Sequence, residues 1–199
     1  MDWVFGYGSL LPAGTTVLPP AARPCGLAGW RRSWGVAMDN GIDLLGYKHF
    51  VAPGGERPVL MVAFLTIAPQ AGAGVNGVAF PVTSEELPGL DERERNYRRV
   101  EVTEHVEADL PGRVWAYVGL DAARERFETG RREGRLAIAS SYYERVLGGF
   151  DLLGQRERFE RLTAPMPAPV VELEVVLDAP RAEPASWRVP SVPLDAERQ

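Results

Sequence analysis

Short apolar runs and short alternating stretches recur along this chain, cut apart by glycine and proline, a pattern that favours strands over long helices. Trp3 to Phe5 is an aromatic and β-branched run that stops at Gly6, which predicts a buried strand opening into a glycine loop. A second strand is expected around Trp30 and Trp34, within Leu27 to Met38. Val59 to Ile67 is almost continuously apolar, as a central strand covered on both faces would be. Val75 to Val82 predicts a further strand, interrupted by Gly77. Tyr97 to Val106 alternates, with Tyr97, Arg99, Glu101 and Thr103 on one side and Arg98, Val100, Val102 and Glu104 on the other, which reads as a half-buried strand. Arg113 to Val118 is the next strand. Helices are expected at Ser84 to Leu90, capped by Thr83 or Ser84, at Asp121 to Arg132, and at Ser140 to Leu147, where Gly148 and Gly149 end the last one.

The pattern changes after Arg161. Prolines 165, 167, 169, 180, 184, 190 and 193 crowd this stretch, and only Val171 to Leu177 alternates in a way that suits a strand. Residues 1–164 therefore read as one compact domain, and 165–199 as a proline-rich extension with one strand candidate. A length of 199 residues suits that division, and no internal repeat is evident.

Composition narrows the function classes. The chain is 45% hydrophobic and 25% charged, so it can bury a core. The net charge of -5 comes without a basic block, which argues against a nucleic-acid partner. The N-terminus lacks a basic start and a long apolar stretch, so no signal peptide is read there, and no segment approaches the roughly 20 apolar residues of a membrane span. One cysteine, Cys25, excludes an internal disulfide and fits a cytoplasmic protein. Two histidines, His49 and His105, supply a zinc or iron site poorly.

Two places are candidates for chemistry. Residues 5–11 carry Gly-Tyr-Gly-Ser directly after a strand. Glycine permits positive φ and close approach to the backbone, and successive N–H groups in such a loop can hold an anion. The loop lacks the ending of a phosphate loop and the Gly-x-Ser-x-Gly spacing of a serine hydrolase, and it also reads as a simple turn. Residues 90–97 carry Asp91, Glu92 and Glu94 among Arg93 and Arg95. Such a run is either a solvated surface or the place where one carboxylate turns inward to carry a proton. The run itself does not say which carboxylate that is.

Taken together, Val-Phe-Gly-Tyr-Gly-Ser-Leu near the start, Leu-Asp-Glu-Arg-Glu some eighty residues later, and the following Tyr-Arg-Arg-Val-Glu-Val resemble the γ-glutamylcyclotransferase-like superfamily. The resemblance runs from about Trp3 to Phe150 and is concentrated in these motifs. It implies an α+β fold, a small, mostly antiparallel β-barrel flanked by a few helices. It implies that Tyr7, Gly8, Ser9 and Leu10 bind the γ-glutamyl head and that Glu94 is the catalytic carboxylate. Tyr142 corresponds to a later family tyrosine that precedes a glycine, here Gly149, by seven residues; Ala139 and Ser140 stand where the family has Pro-Ser. The implied reaction is attack of the substrate's α-amine on its own γ-carbonyl, which releases 5-oxoproline and a free amine or amino acid. No metal and no cofactor is implied, and the partner is a small-molecule γ-glutamyl substrate.

The resemblance also leaves gaps. The further motifs of the glutathione-specific branch are missing, Gly41 to Pro58 has no counterpart, and the tail is extra. The leaving amine is therefore open between an amino acid, a simple amine and cysteinyl-glycine. A non-catalytic binding module on the same fold, and a hydrolase using water in the same pocket, are the competing readings. Trp30, Trp34 and Trp115 suit either a leaving-group pocket or the core. The oligomeric state is open, a homodimer included.

Overall fold

The computed structural model describes residues 1–11, 17–42, 47–178 and 183–187. Nine strands and four helices are found among them: β1 (Asp2–Gly6), β2 (Arg23–Asp39), β3 (Lys48–Val51), β4 (Met61–Val82), α1 (Leu87–Arg93), β5 (Tyr97–Glu101), β6 (Val114–Gly119), α2 (Asp121–Arg132), β7 (Leu136–Ala139), α3 (Ser140–Leu152), α4 (Arg156–Leu162), β8 (Val170–Val171) and β9 (Glu174–Leu177). Pro180, Pro190 and Pro193 lie outside the described residues.

The fold is α+β, built on one mixed sheet in which the antiparallel ladders are the long ones. β2 and β4 form a long hairpin whose register runs from Arg23↔Ala79 to Asp39↔Met61, with irregularities at Ala28/Trp30 and Trp34/Val36 where the ribbon bends. The other edge of β4 takes β1 antiparallel near its end, from Asp2↔Val82 to Gly6↔Val78, and β7 in parallel at Met61 and Val62. β6 adds to β1 in parallel and β5 to β6 antiparallel. The ladder itself does not close. Between the β5 side and β2 there is one isolated bridge, Leu27↔Val106, reinforced by the Glu107 N–H donating to the Gly26 carbonyl at 2.9 Å. Side chains such as Phe5, Leu27, Phe64, Ile67 and Phe80 fill the space so enclosed and are fully buried.

Several elements differ from the sequence expectation. Val59 to Ile67 and Val75 to Val82 belong to one continuous strand, β4. Gly77 does not interrupt it. An added Cβ there would fall 2.3 Å from the Gly6 carbonyl oxygen and 2.7 Å from the Phe5 ring, so the bare backbone is what lets the end of β1 close onto β4. The helix expected from Ser84 begins at Leu87, and neither Thr83 nor Ser84 caps it. Instead the Thr83 N–H donates to the Glu86 carboxylate at 2.9 Å. α3 runs on through Gly148 and Gly149 to Leu152, and Leu11 packs where a Gly149 side chain would stand, 2.6 Å from an ideal Cβ. The half-buried strand predicted to Val106 ends at Glu101, and a short 3₁₀ turn follows.

The stretch after α4 packs back on the molecule. β8 pairs with β7, β9 pairs with β3, and Trp187 lies buried against Phe80, their ring centroids 5.4 Å apart. The Ser186 hydroxyl donates to the Pro81 carbonyl.

Cys25 sits in β2 opposite Gly77. Burial pushes its thiol up to about 11, with the nearby Glu107 acting in the same direction. The raised value keeps the sulfur protonated at neutral pH, and only the thiolate alkylates readily. Iodoacetamide labelling at pH 7 to 8 is therefore expected to be much slower in the folded chain than in urea, and to climb until the pH approaches 11. Equal folded and unfolded rates at pH 7.5 would contradict this placement.

Candidate active site

α1 delivers the charged run to the sheet. Its buried residues are Leu87, Leu90 and Arg93, spaced for one helix face, and Glu94 closes the helix. The Glu94 N–H donates to the Leu90 carbonyl at 2.9 Å, and the Glu94 carbonyl accepts from the Tyr97 N–H at 2.8 Å. Both ends of the residue are thus fixed by backbone. Asp91 is engaged by other partners: it accepts from the Tyr117 hydroxyl at 2.9 Å and pairs with Arg99 at 3.4 Å. The Tyr117 carbonyl in turn accepts the Tyr7 hydroxyl. The Leu-Asp-x-x-Glu pattern therefore ties α1 to β6 and β1 through Asp91, while Glu94 is left facing the space between them.

Exposure separates the three carboxylates. The Glu94 side chain is 13% accessible, against 43% for Asp91 and 76% for Glu92. The Arg93 Nε lies 3.2 Å from the Glu94 Oε1. Arg93 itself is held by Glu183 at 3.9 Å and stacks over Trp187 at 5.0 Å. The C-terminal stretch thereby supports the carboxylate at one remove, a contact that no local sequence pattern announces.

Glu94 lines a small depression of about 270 Å³ together with Tyr7, Gly8, Ser9, Leu10 and Tyr142, the residues singled out from the sequence. Leu65, Tyr97 and Tyr117 complete it, and sequence reasoning missed all three. Each lies in a strand that was expected, but nothing in the alternation marks Tyr97 or Tyr117 as facing the same space as residue 94. The Leu65 backbone is the hub: its N–H donates to the Tyr142 hydroxyl at 3.2 Å, and its carbonyl accepts from the Tyr97 hydroxyl at 2.8 Å. The Arg145 Nε donates to the Ser9 carbonyl at 3.2 Å and fixes the far side of the loop.

The loop glycines are present for closeness. Neither Gly6 nor Gly8 has positive φ, so the conformational freedom anticipated for them is not used. An ideal Cβ on Gly8 would stand 3.5 Å from both the Leu65 side chain and the Tyr142 hydroxyl, in the depression itself.

Burial raises the pKa of Tyr7, Tyr97, Tyr117 and Tyr142 well above the ordinary phenol value. For Tyr7 the neighbouring Tyr142 and Glu94 add to the effect of burial, and for Tyr117 the bonded Asp91 does. All four phenols stay neutral near pH 7. Among the described residues that line the depression, Glu94 is the one carboxylate. A site of this kind offers one proton acceptor, several fixed neutral hydrogen-bonding groups and a backbone loop.

The matching family model is decisive. It covers residues 4–145 and is described as gamma-glutamyl cyclotransferase, AIG2-like. The chain belongs to the gamma-glutamyl cyclotransferase family. Its match includes both motifs and Tyr142. Among solved structures, an uncharacterized protein from Homo sapiens shares 18% identity at a TM-score of 0.47, covering 85% of this chain and 93% of that one. A gamma-glutamyl cyclotransferase specific to glutathione from yeast shares 16% identity at a TM-score of 0.44, covering 83% and 89%. A protein from Arabidopsis thaliana shares 18% identity at a TM-score of 0.35, covering 67% and 84%. No curated protein matches.

A second depression of about 310 Å³ adjoins the first and shares Ser9, Glu94, Tyr97 and Tyr142 with it. It adds Tyr47, Lys48, Phe64, Arg93 and Asn96, a distinctly more cationic wall. Trp30, Trp34 and Trp115 line neither depression. Trp30 packs on His105, and the Trp115 indole donates to Asp2 at 2.9 Å. Among the described residues no group of three or more His, Cys, Asp or Glu side chains is placed to hold a metal ion, and no helix is long and apolar enough to cross a membrane.

Proposed function

We propose that this chain is a γ-glutamyl cyclotransferase in which Glu94 moves the proton and Tyr7, Gly8, Ser9, Leu10 and Tyr142 hold the γ-glutamyl head. One observation carries the reading: the inward carboxylate of α1, the glycine loop after β1 and the tyrosine of α3 line a single depression. These three come from sequence positions far apart, and one small space collects them.

The reaction is the one the family implies, and the arrangement suits it. The substrate's α-amine attacks its own γ-carbonyl carbon, forming the ring C–N bond. The bond to the leaving amine breaks, and the products are 5-oxoproline and a free amine. Attack and leaving group belong to one molecule, so the enzyme mainly folds the glutamyl chain into the reactive shape, and effective molarity does the rest. Glu94 takes a proton from the substrate's α-ammonium, which frees the lone pair that attacks, and a proton is handed back to the departing nitrogen. Backbone N–H groups of the loop stabilise the oxygen on which charge develops. The leaving amine occupies the adjoining depression, beside Lys48 and Asn96. Water has no part in the balance.

The test is a panel of γ-glutamyl-amino acids, γ-glutamyl-amines and glutathione, with 5-oxoproline measured by mass spectrometry. At least one member is expected to yield 5-oxoproline and amine in equal amounts. Stoichiometric glutamate in place of 5-oxoproline would identify a hydrolase, and binding without turnover a non-catalytic module.

Gly8→Val probes the head site. A single methyl would meet only ordinary contacts, but the valine γ-methyls enter the space beside Tyr142 and Leu65. KM is expected to rise about tenfold or more, with the folded state retained. An unchanged KM would show that the loop serves only as a turn.

A further inference from the structure

Arg32 is fully buried in the middle of β2. Its guanidinium lies beside the stacked pair of Phe150 and Phe159 rings, 4.9 and 4.4 Å from their centroids. All five of its N–H groups are used. Nε donates to the Thr163 hydroxyl at 2.7 Å. One terminal nitrogen donates to the carbonyls of Tyr7 at 3.2 Å and Asn76 at 2.9 Å. The other donates to the Asn76 side-chain oxygen at 2.8 Å and the Phe159 carbonyl at 3.2 Å. Every acceptor is neutral. Burial lowers the pKa of Arg32 to about 9, so it remains a cation at neutral pH.

A desolvated cation with no carboxylate against it is a costly way to fill a core. Five neutral acceptors satisfy its geometry but leave its charge uncompensated. That charge sits directly behind the site loop. The Tyr7 carbonyl it binds belongs to the same peptide unit as the Gly8 N–H, and the two ends of a peptide unit are coupled by resonance. No hydrogen bond among the described residues takes the Gly8 N–H, while Gly8 itself lines the depression. A charge-assisted bond to the carbonyl withdraws electron density from the nitrogen and makes its N–H a stronger donor.

We propose that Arg32 is a positioning residue for this site, locking the Tyr7 carbonyl and polarising the Tyr7–Gly8 peptide so that the Gly8 N–H binds the developing oxyanion more strongly. Its kinetic consequence rests on the cyclotransferase reading above; its effect on the peptide does not.

Asn76→Asp separates charge from packing. Aspartate matches asparagine in size and still accepts from Arg32, but it neutralises the guanidinium. The bond from the Asn76 side chain to Gln155, now 3.0 Å, can be remade by rotation of the Gln155 amide. The expected result is a kcat lower by about tenfold or more, a KM within about threefold of the parent, and an unchanged or higher Tm. In the ligand-free protein, the ¹⁵N resonance of Gly8 is expected to move relative to the parent. If Arg32 serves packing alone, the variant keeps its kcat and the Gly8 resonance stays in place, and either result overturns the proposal. If the parent turns over no γ-glutamyl compound, the cyclotransferase reading fails, and the Gly8 resonance still decides the role of Arg32. Should Asn76→Asp fail to fold, Arg32→Lys and Arg32→Gln replace it. The lysine variant, which keeps the charge, is expected to retain the higher kcat and the more parent-like Gly8 shift; equal values for the two overturn the proposal.

Discussion

Glu94→Gln is expected to lower turnover by about 10²- to 10⁴-fold while the chain stays folded. Glutamine has the shape of glutamate but cannot accept and return the amine's proton. The fold survives because the backbone bonds that close α1, from Glu94 to Leu90 and from Tyr97 to Glu94, do not involve the side chain. The amide oxygen can still stand against the Arg93 Nε, which lies 3.2 Å from the carboxylate. The two side chains are 2% and 13% accessible, so loss of the ion pair is expected to cost about 1–3 kcal/mol of stability. Glu92→Gln is the control. Its side chain is 76% accessible, and turnover is expected to be unchanged. Initial rates of 5-oxoproline release, with thermal melts of each variant, check both statements. A Glu94→Gln protein with near-parent kcat would remove Glu94 from the chemistry.

Gly77→Ala is expected to have the largest effect on stability and to lower activity with it. The added carbon would lie 2.3 Å from the Gly6 carbonyl oxygen. The obstacle is backbone, so the end of β1 must move rather than a side-chain tip. Such overpacking costs about 1–3 kcal/mol, and in a chain of this size each kcal/mol lowers Tm by about 2–4 °C. Because Tyr7 follows Gly6 directly, the same displacement misplaces the site loop. A shift of about 1 Å in positioning groups can cost 10²-fold in rate. Gly148→Ala makes the contrast. Nothing lies within 4 Å of its ideal Cβ, and it sits inside α3, so alanine is expected to stabilise by about 0.5–1 kcal/mol. Calorimetry of the two variants distinguishes a glycine held by packing from one that is merely tolerated.

Two glycines show where reading from the sequence stopped. Gly77 and Gly149 look like breakers, because local pattern assigns glycine a conformational meaning. In the folded chain their meaning is steric, set by Gly6 and Leu11 from distant segments. The strand at Trp3 was legible from its aromatic and β-branched run ending at a glycine, and the strand at Arg113 and the helix at Asp121 from segments of six and twelve residues. β7 spans Leu136–Ala139, β3 spans Lys48–Val51, and neither is longer than four residues; both form through distant partners. α4 was hidden because only Phe159 of its residues is buried, so it has almost no apolar stripe.

The candidate site was legible to a similar depth. The glycine loop and the acidic run stood out as motifs, and together they pointed to a family whose pattern implies Glu94. Of the three carboxylates Glu94 is the least accessible. The supporting residues were not visible. Arg32 drew no attention in the sequence, and the cover of Phe150 from α3 and Phe159 from α4 makes it a buried cation. Trp187 lies in a proline-rich tail, yet it supports Arg93 and, through it, Glu94.

The most direct measurement of the central claim is turnover of an active γ-glutamyl substrate in ¹⁸O-enriched water. Closure of the ring by the substrate's own nitrogen predicts 5-oxoproline with no ¹⁸O in its lactam carbonyl, released one-for-one with the amine. Glutamate carrying ¹⁸O in its γ-carboxylate, or 5-oxoproline labelled by way of such glutamate, would show that water is the nucleophile and would contradict the account.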